Sequence, residues 1–256
     1  MKAGNCDQFA LIEADQRCID HIFHRHDDRR GLLLPWEAGD LPTVGRGPSG
    51  NILKYIKITF SSNFGNVFSV LVASIVLPFL PMLAIQLLVQ NLLCDLAQVF
   101  LPWDRVDERF RAHPQPWSSE SIARFMLVFG PVSSIFDLLT FTVLWFGFGA
   151  NTPVHQSLFQ TGWFIVGLAT QLLVVHIMRT EKVPLLQSRA TTPVVIGTLL
   201  ILIVGLALPW IPFGQILGFV HLPATYFLWV VIVVAAYLFT VQGLKSLYRQ
   251  RIGSWL

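Results

Sequence analysis

Residues 64–100 constrain this chain more than any other stretch, because they are almost uninterruptedly apolar. As one helix they would be about 55 Å long at 1.5 Å per residue, against a hydrocarbon core of about 30 Å. The run must fold back, and LPFLPM (77–82) supplies two prolines where a helix breaks. The expected helices are 54–78 and 82–101, followed by 125–148, 158–178, 193–211 and 226–244, each long enough to span. Composition agrees: 13% of residues are charged and 54% hydrophobic, where a soluble domain carries about 25% charged residues. The fold class is therefore expected to be an all-α integral membrane protein with six transmembrane helices.

Charge sets the orientation, since lysine and arginine collect in cytoplasmic loops. From residue 46 on they precede or open the first helix (Arg46, Lys54, Lys57) and lie between the second and third (Arg105, Arg109, Arg111, Arg124). They recur between the fourth and fifth (Arg179, Lys182, Arg189) and after the sixth (Lys245, Arg249, Arg251). The alternate loops, PFLP, ANTPVHQS and PFGQILGFVHLPA, contain none. Both termini of the membrane domain are thus expected in the cytoplasm. Trp103, Trp145, Trp163, Trp210 and Trp229 fall near span ends or within spans, and the terminal ones fit an interfacial belt.

Residues 1–49 differ in kind from 50–256 and are expected to be a poorly structured head and linker. The first 50 or so hold eight of the fifteen acids and six of the eighteen basic residues. MKAGNCDQFALIEADQRC carries acids where a signal peptide needs an apolar stretch. HIFHRHDD (21–28) clusters His and Asp, but its spacing fits no standard zinc site, and a solvated charged segment is favoured. GDLPTVGRGPSG (39–50) is rich in glycine and proline, as linkers are, and lacks the P-loop lysine. Cys6, Cys18 and Cys94 make neither a disulfide framework nor a CxxC pair.

Within the second expected helix, Asn91, Asp95 and Gln98 are spaced i, i+4, i+7 and share one face. In the first, Asn63 and Asn66 share a face, with Ser62, Gly65 and Ser69 nearby. The short turn between them makes the two helices expected antiparallel neighbours whose polar faces meet away from lipid. A carboxylate at mid-membrane costs about 2.5–3.5 kcal/mol on insertion scales. Lysine and arginine flank the spans, so a cation or a proton explains Asp95 better than a salt bridge. The competing explanation is interhelical hydrogen bonding, which Asn, Gln and Ser commonly provide. Asp137 is a second intramembrane acid, with Ser133 and Ser134 one turn earlier as expected donors. A structural, hydrogen-bonded role is favoured for it, and likewise for Gln171 and His176. Cys94 is expected to pack rather than to bind metal.

GNILKYIKITFSSNFGNVFSVLVASIVLPFLPM followed by LLVQNLLCDLAQVFLPWDRVD resembles the fifth and sixth membrane helices of bacterial magnesium-transporting P-type ATPases. RFMLVFGPVSSIFDLLTF and FQTGWFIVGLATQLLVVHIMRT continue the resemblance toward the tenth, from about Gly50 to the C-terminus. It implies that Asn63, Asn66, Asn91 and Asp95 occupy cation-site positions; Ser62, Gln98, Asp137 and Gln171 are the candidate accessory polar groups that the residues themselves offer. It implies Mg²⁺ as the transported ion, ATP acting only through domains this sequence lacks, and the bacterial inner membrane as location. Mg²⁺ is a hard cation that sheds water reluctantly and is held by one or two carboxylates, which suits one aspartate among carboxamides. The sequence departs from the family in having no Asp-Lys-Thr-Gly, Thr-Gly-Glu or Gly-Asp-Gly motif, and the family's first four membrane helices are not represented. The chain is thus expected to contribute ligands and scaffold to an ATP-driven magnesium importer without hydrolysing ATP alone. Its expected partners are lipid, Mg²⁺ and the remaining part of such a pump, with no nucleic acid. The alternatives are a stand-alone or regulatory six-helix membrane protein without ATPase activity, and a non-functional gene fragment.

Overall fold

A computed structural model describes residues 43–104, 119–180, 184 and 188–252. The HIFHRHDD cluster, Cys6 and Cys18 lie outside the described residues. The elements run α1 (Thr43–Val76), α2 (Ala84–Gln98), a 3₁₀ turn (Leu101–Trp103) and α3 (Ser119–Thr142), which ends in a π turn at Val143–Gly147. They continue through a 3₁₀ turn (Pro153–His155), α4 (Gln156–Met178), α5 (Thr192–Ala207), a short α6 (Pro212–Ile216) and α7 (Ala224–Ile252). All but α6 belong to the six helices long and apolar enough to cross a membrane, so the expected fold class holds. Several boundaries move outward. The first helix begins at Thr43, inside the expected linker, the third at Ser119 where 125 was expected, and the last runs to Ile252. Extending a helix already nucleated by an apolar segment adds one hydrogen bond per residue fixed.

The hub is α4. It packs against α7, α2, α3, α5 and α1, and Phe159, Trp163, Phe164, Val166 and Leu168 along it are buried. A helix apolar all round belongs inside, and α4 has few charged positions to present elsewhere. By contrast α1 exposes Leu71 and Ile75 and α7 exposes Leu228 and Phe239, the surface a lipid contact needs.

The hairpin expected of α1 and α2 does not form as such. The longest seam of α1 is with α3, whereas α2 leans on α4 and α5, and α1 has no comparable packing with α2. Small residues explain this. Ser61, Gly65, Ser69 and Ala73 recur every fourth position of α1 and are all buried. Ser61 and Gly65 face Gly130 and Ser134 of α3, where Ser134 Oγ donates to the Gly65 carbonyl at 3.0 Å, and Ser69 meets Asp137 further along the same helix. In membranes, where apolar burial gives no preference for helix over lipid, such small-residue faces let backbones approach closely. A Cβ on Gly65 would lie 3.0 Å from the Gly130 carbonyl oxygen, and one on Gly130 2.6 Å from Phe64.

Among the described residues, Lys57, Lys245 and Arg179 are basic groups buried where helix ends meet. Lys57 Nζ donates to Ser121 Oγ at 2.9 Å and lies 5.7 Å from the centre of the Phe125 ring. Lys245 Nζ donates to the Ile177 carbonyl at 2.8 Å, closing the last turn of α4 as basic groups do at helix C-termini. Arg179, at the end of α4, donates to both carboxylate oxygens of Asp104, at 3.1 and 3.0 Å.

Candidate metal site

Two helices that barely touch leave a gap, and the gap is polar. A cavity of about 30 Å³ is lined by Thr59, Ser62 and Asn63 from α1, by Asn91, Cys94, Asp95 and Gln98 from α2, and by Gln171 from α4. The space is sufficient for a water-sized body. On α2 the lining residues 91, 94, 95 and 98 fall on one helical face; on α1, Thr59, Ser62 and Asn63 do the same.

The lining groups divide into tethered and free. Thr59 Oγ1 donates to Gln98 Oε1 at 3.2 Å, a bridge between α1 and α2. The Cys94 thiol donates to Gln171 Oε1 at 2.8 Å, so it is engaged in packing, as its burial suggested, and Gln171 Nε2 is left buried without a partner. The side chains of Asn63, Asn91 and Asp95 have no hydrogen bond or ion pair among the described residues, and all three residues are exposed on the surface of the bundle. The ion pairs among the described residues are Arg124 with Glu120 and Arg179 with Asp104; neither includes Asp95. The inward turn expected of both polar faces is therefore met by Gln98 but not by Asn63, Asn91 or Asp95. The splaying of α1 from α2 is the reason: it opens the gap outward.

Of the positions singled out in the sequence, the structure brings together Asn63, Asn91 and Asp95 with Ser62, Gln98 and Gln171. Asn66 is not in the lining; one turn further along α1, it is half-buried and its Nδ2 has no partner. Asp137 lies elsewhere, buried between α1, α3 and α4. Ser69 Oγ donates to its Oδ2 at 2.6 Å and the Trp163 indole to its Oδ1 at 2.9 Å. The expected donors are otherwise occupied, Ser133 with the Tyr237 hydroxyl at 2.8 Å and Ser134 with the Gly65 carbonyl. Trp163 is thus an interior hydrogen-bond donor and not part of an interfacial belt. His176 Nε2 meets Thr198 Oγ1 at 2.8 Å; that hydroxyl donates to the Val194 carbonyl, so the imidazole N–H is the donor to it.

Sequence reasoning missed Thr59, although it lies four residues before Asn63 on the same face. It also missed the buried Asp104–Arg179 pair, which joins residues 75 apart in the chain. Chemically, the cavity presents one carboxylate and several carboxamide and hydroxyl oxygens. Among the described residues no three His, Cys, Asp or Glu side chains gather to hold a metal ion, in this cavity or elsewhere. A donor set of this kind, all oxygen but for an engaged thiol, suits a hard cation that keeps part of its water.

Residues 79–247 match the family model described as cation transporting ATPase, C-terminus. The chain is 53% identical over 211 residues to the magnesium-transporting ATPase, P-type 1, of Salmonella typhimurium strain LT2, covering 82% of this chain and 23% of that protein. It is 53% identical over 209 residues to the protein of the same name from Escherichia coli K12, with the same shares covered. The chain therefore spans about a quarter of the length of these relatives.

Proposed function

Because this chain belongs to the cation-transporting ATPases, as a C-terminal membrane domain of that family, we propose that it forms part of the intramembrane pathway of an ATP-driven magnesium importer in the bacterial inner membrane. Asn63, Asn91 and Asp95 supply oxygen ligands to Mg²⁺ as cargo. Ser62, Gln98 and Gln171 line the same cavity, and Asn66, one turn beyond, is placed to join when the ion moves along α1. The observation that carries this reading is the pairing of a carboxylate with two carboxamides from two helices around one small cavity, none of them engaged by the rest of the protein.

Exposure of Asp95 supports a partner. A charged side chain on the outer face of a bundle at hydrocarbon depth costs about 2.5–3.5 kcal/mol on insertion scales, so that face calls for further spans to cover it. Such spans, from the remaining part of a pump, would also supply the ligands that three oxygen groups leave unfilled. Phosphorylation and nucleotide binding belong to that remaining part, and both termini of the membrane domain, with their basic residues, face the cytoplasm.

Two measurements test the reading. Purified chain in lipid nanodiscs, titrated with Mn²⁺ as a paramagnetic stand-in for Mg²⁺, is expected to bind one ion, and Asp95→Asn to abolish it. Liposomes holding the chain and a Mg²⁺-sensitive dye are expected to show no uptake on their own. Uptake without ATP that Asp95→Asn removes would make the chain a passive pathway and overturn its role as part of a pump.

A further inference from the structure

We propose that Asn51 is the positioning residue of the cation cavity: its side-chain amide sets the separation of α1 from α2, and with it the affinity for a divalent cation. The mechanical role follows from geometry alone, whereas the effect on affinity rests on the function proposed above.

The two walls of the cavity take their main support from different places, α1 from α3 and α2 from α4 and α5, and they share only a lighter contact of α1 with α4. The width between them is set by that shared contact and by the places where the two walls reach each other directly. Thr59, at the cavity itself, crosses from α1 to α2, and Asn51, at the basic end, crosses from α1 to the turn that follows α2. Asn51 Nδ2 donates to the Pro102 carbonyl and to the Asp104 carbonyl, each at 3.1 Å, and the residue is 3% exposed. Both amide hydrogens are used while Oδ1 is buried without a partner. That fixes the orientation of the amide, since a flip would set Oδ1 against two carbonyl oxygens.

The acceptor end is itself tied on several sides. Both carboxylate oxygens of Asp104 accept from Arg179 Nη1, Oδ1 accepts a 3.3 Å bond from the Thr191 backbone N–H, and Arg179 Nη2 donates to the Ser188 carbonyl at 2.7 Å. A continuous line of polar contacts thus runs from the end of α4 through Asp104 to Asn51. Beyond it α1 is one unbroken helix, so Asn63 lies about 18 Å further along the same rod. Releasing Asn51 leaves the α1–α3 seam intact but frees the rod to tilt about it, and the gap between Asn63 and Asp95 changes. Asn51→Asp does more than Asn51→Ala, because it points a carboxylate at two carbonyl oxygens.

The test uses the full chain in lipid nanodiscs, with nitroxide labels at Val67→Cys on α1 and Leu88→Cys on α2 in a Cys6→Ser, Cys18→Ser background. Both label sites are exposed. Double electron–electron resonance is expected to show a longer and broader distance in Asn51→Ala, and more so in Asn51→Asp. In unlabelled variants, Mn²⁺ titration is expected to show an unchanged number of ions per chain and a Kd raised about tenfold, as the loss of one or two hydrogen bonds allows. Unchanged distances in both variants overturn the clamp. Longer distances at unaltered Kd overturn its link to the site, and fewer ions per chain at unaltered Kd show misfolding in its place. Absence of Mn²⁺ binding by the unsubstituted chain overturns the proposed function and the effect on affinity with it, while the distances still decide the clamp.

Discussion

Asp104 and Arg179 form a buried ion pair in which Arg179 Nη1 meets both carboxylate oxygens, the carboxylate and guanidinium side chains being 0% and 1% exposed. Breaking such a pair from one side leaves an uncompensated buried charge, at about 3–5 kcal/mol. Arg179→Leu is therefore expected to lower the thermal unfolding temperature in detergent sharply, measured by circular dichroism. The double variant Asp104→Leu, Arg179→Leu recovers part of the loss, because the charges leave together. The Glu120–Arg124 pair, 79% and 49% exposed, is worth under about 1 kcal/mol. Arg124→Ala should barely move the unfolding temperature, and less still in high salt, where exposed pairs are screened.

Asp137 is held by two donors from two other helices, Ser69 and Trp163. Asn is expected to be tolerated, with a loss of about 1 kcal/mol, since its Oδ1 keeps the indole and Ser69 can turn its hydroxyl to accept. Leu is expected to be worse by about 2 kcal/mol or more, because it strands a buried N–H and a buried O–H. Denaturant titration followed by tryptophan fluorescence separates the two, Trp163 being itself a reporter of the change. Equal losses for Asn and Leu would mean that the charge, not the hydrogen bonding, matters at this position.

How much of this was legible in the sequence depended on whether the signal was local. The six spans follow from apolar run length and the two prolines at 78 and 81, and they are present. The shared face of Asn91 and Asp95 follows from helical period alone. Partner choice does not. Turn length argued that α1 would lie on α2, yet Ser61, Gly65, Ser69 and Ala73 had already marked a face for close approach, and α3 offered Gly130 and Ser134 to meet it. The stripe is visible in the sequence; which helix answers it is a long-range matter. For the same reason Asp137 drew its donors from Ser69 and Trp163, and Ser133 and Ser134, one turn away on its own helix, turned to other partners.

That α1–α3 seam gives a further expectation. A branched side chain at Gly130 must displace Phe64, whose Cδ1 sits 2.6 Å from where a Cβ would be built. Overpacking of this kind costs about 1–3 kcal/mol, so Gly130→Val is expected to reduce stability while Gly243→Val, with open space around it, is expected to leave packing undisturbed. Side-by-side melting curves of the purified variants check the contrast.

The last expectation separates the site as the structure assembles it from the four ligand positions that the family resemblance implies. Asn91 lines the cavity beside Asp95, whereas Asn66 lies outside the lining with a buried, unpartnered Nδ2. If coordination follows the cavity, Asn91→Ala weakens Mn²⁺ binding by about tenfold, equivalent to about 1.4 kcal/mol, and Asn63→Ala by a similar factor. Asn66→Ala then changes affinity little and acts on stability instead, in the favourable direction, because it removes an amide hydrogen that is desolvated without a partner. Both quantities come from the same preparations, Mn²⁺ titration for the first and thermal unfolding for the second. An Asn66→Ala variant as weak in Mn²⁺ binding as Asn91→Ala would show that α1 rotates on ion binding to bring Asn66 into the gap.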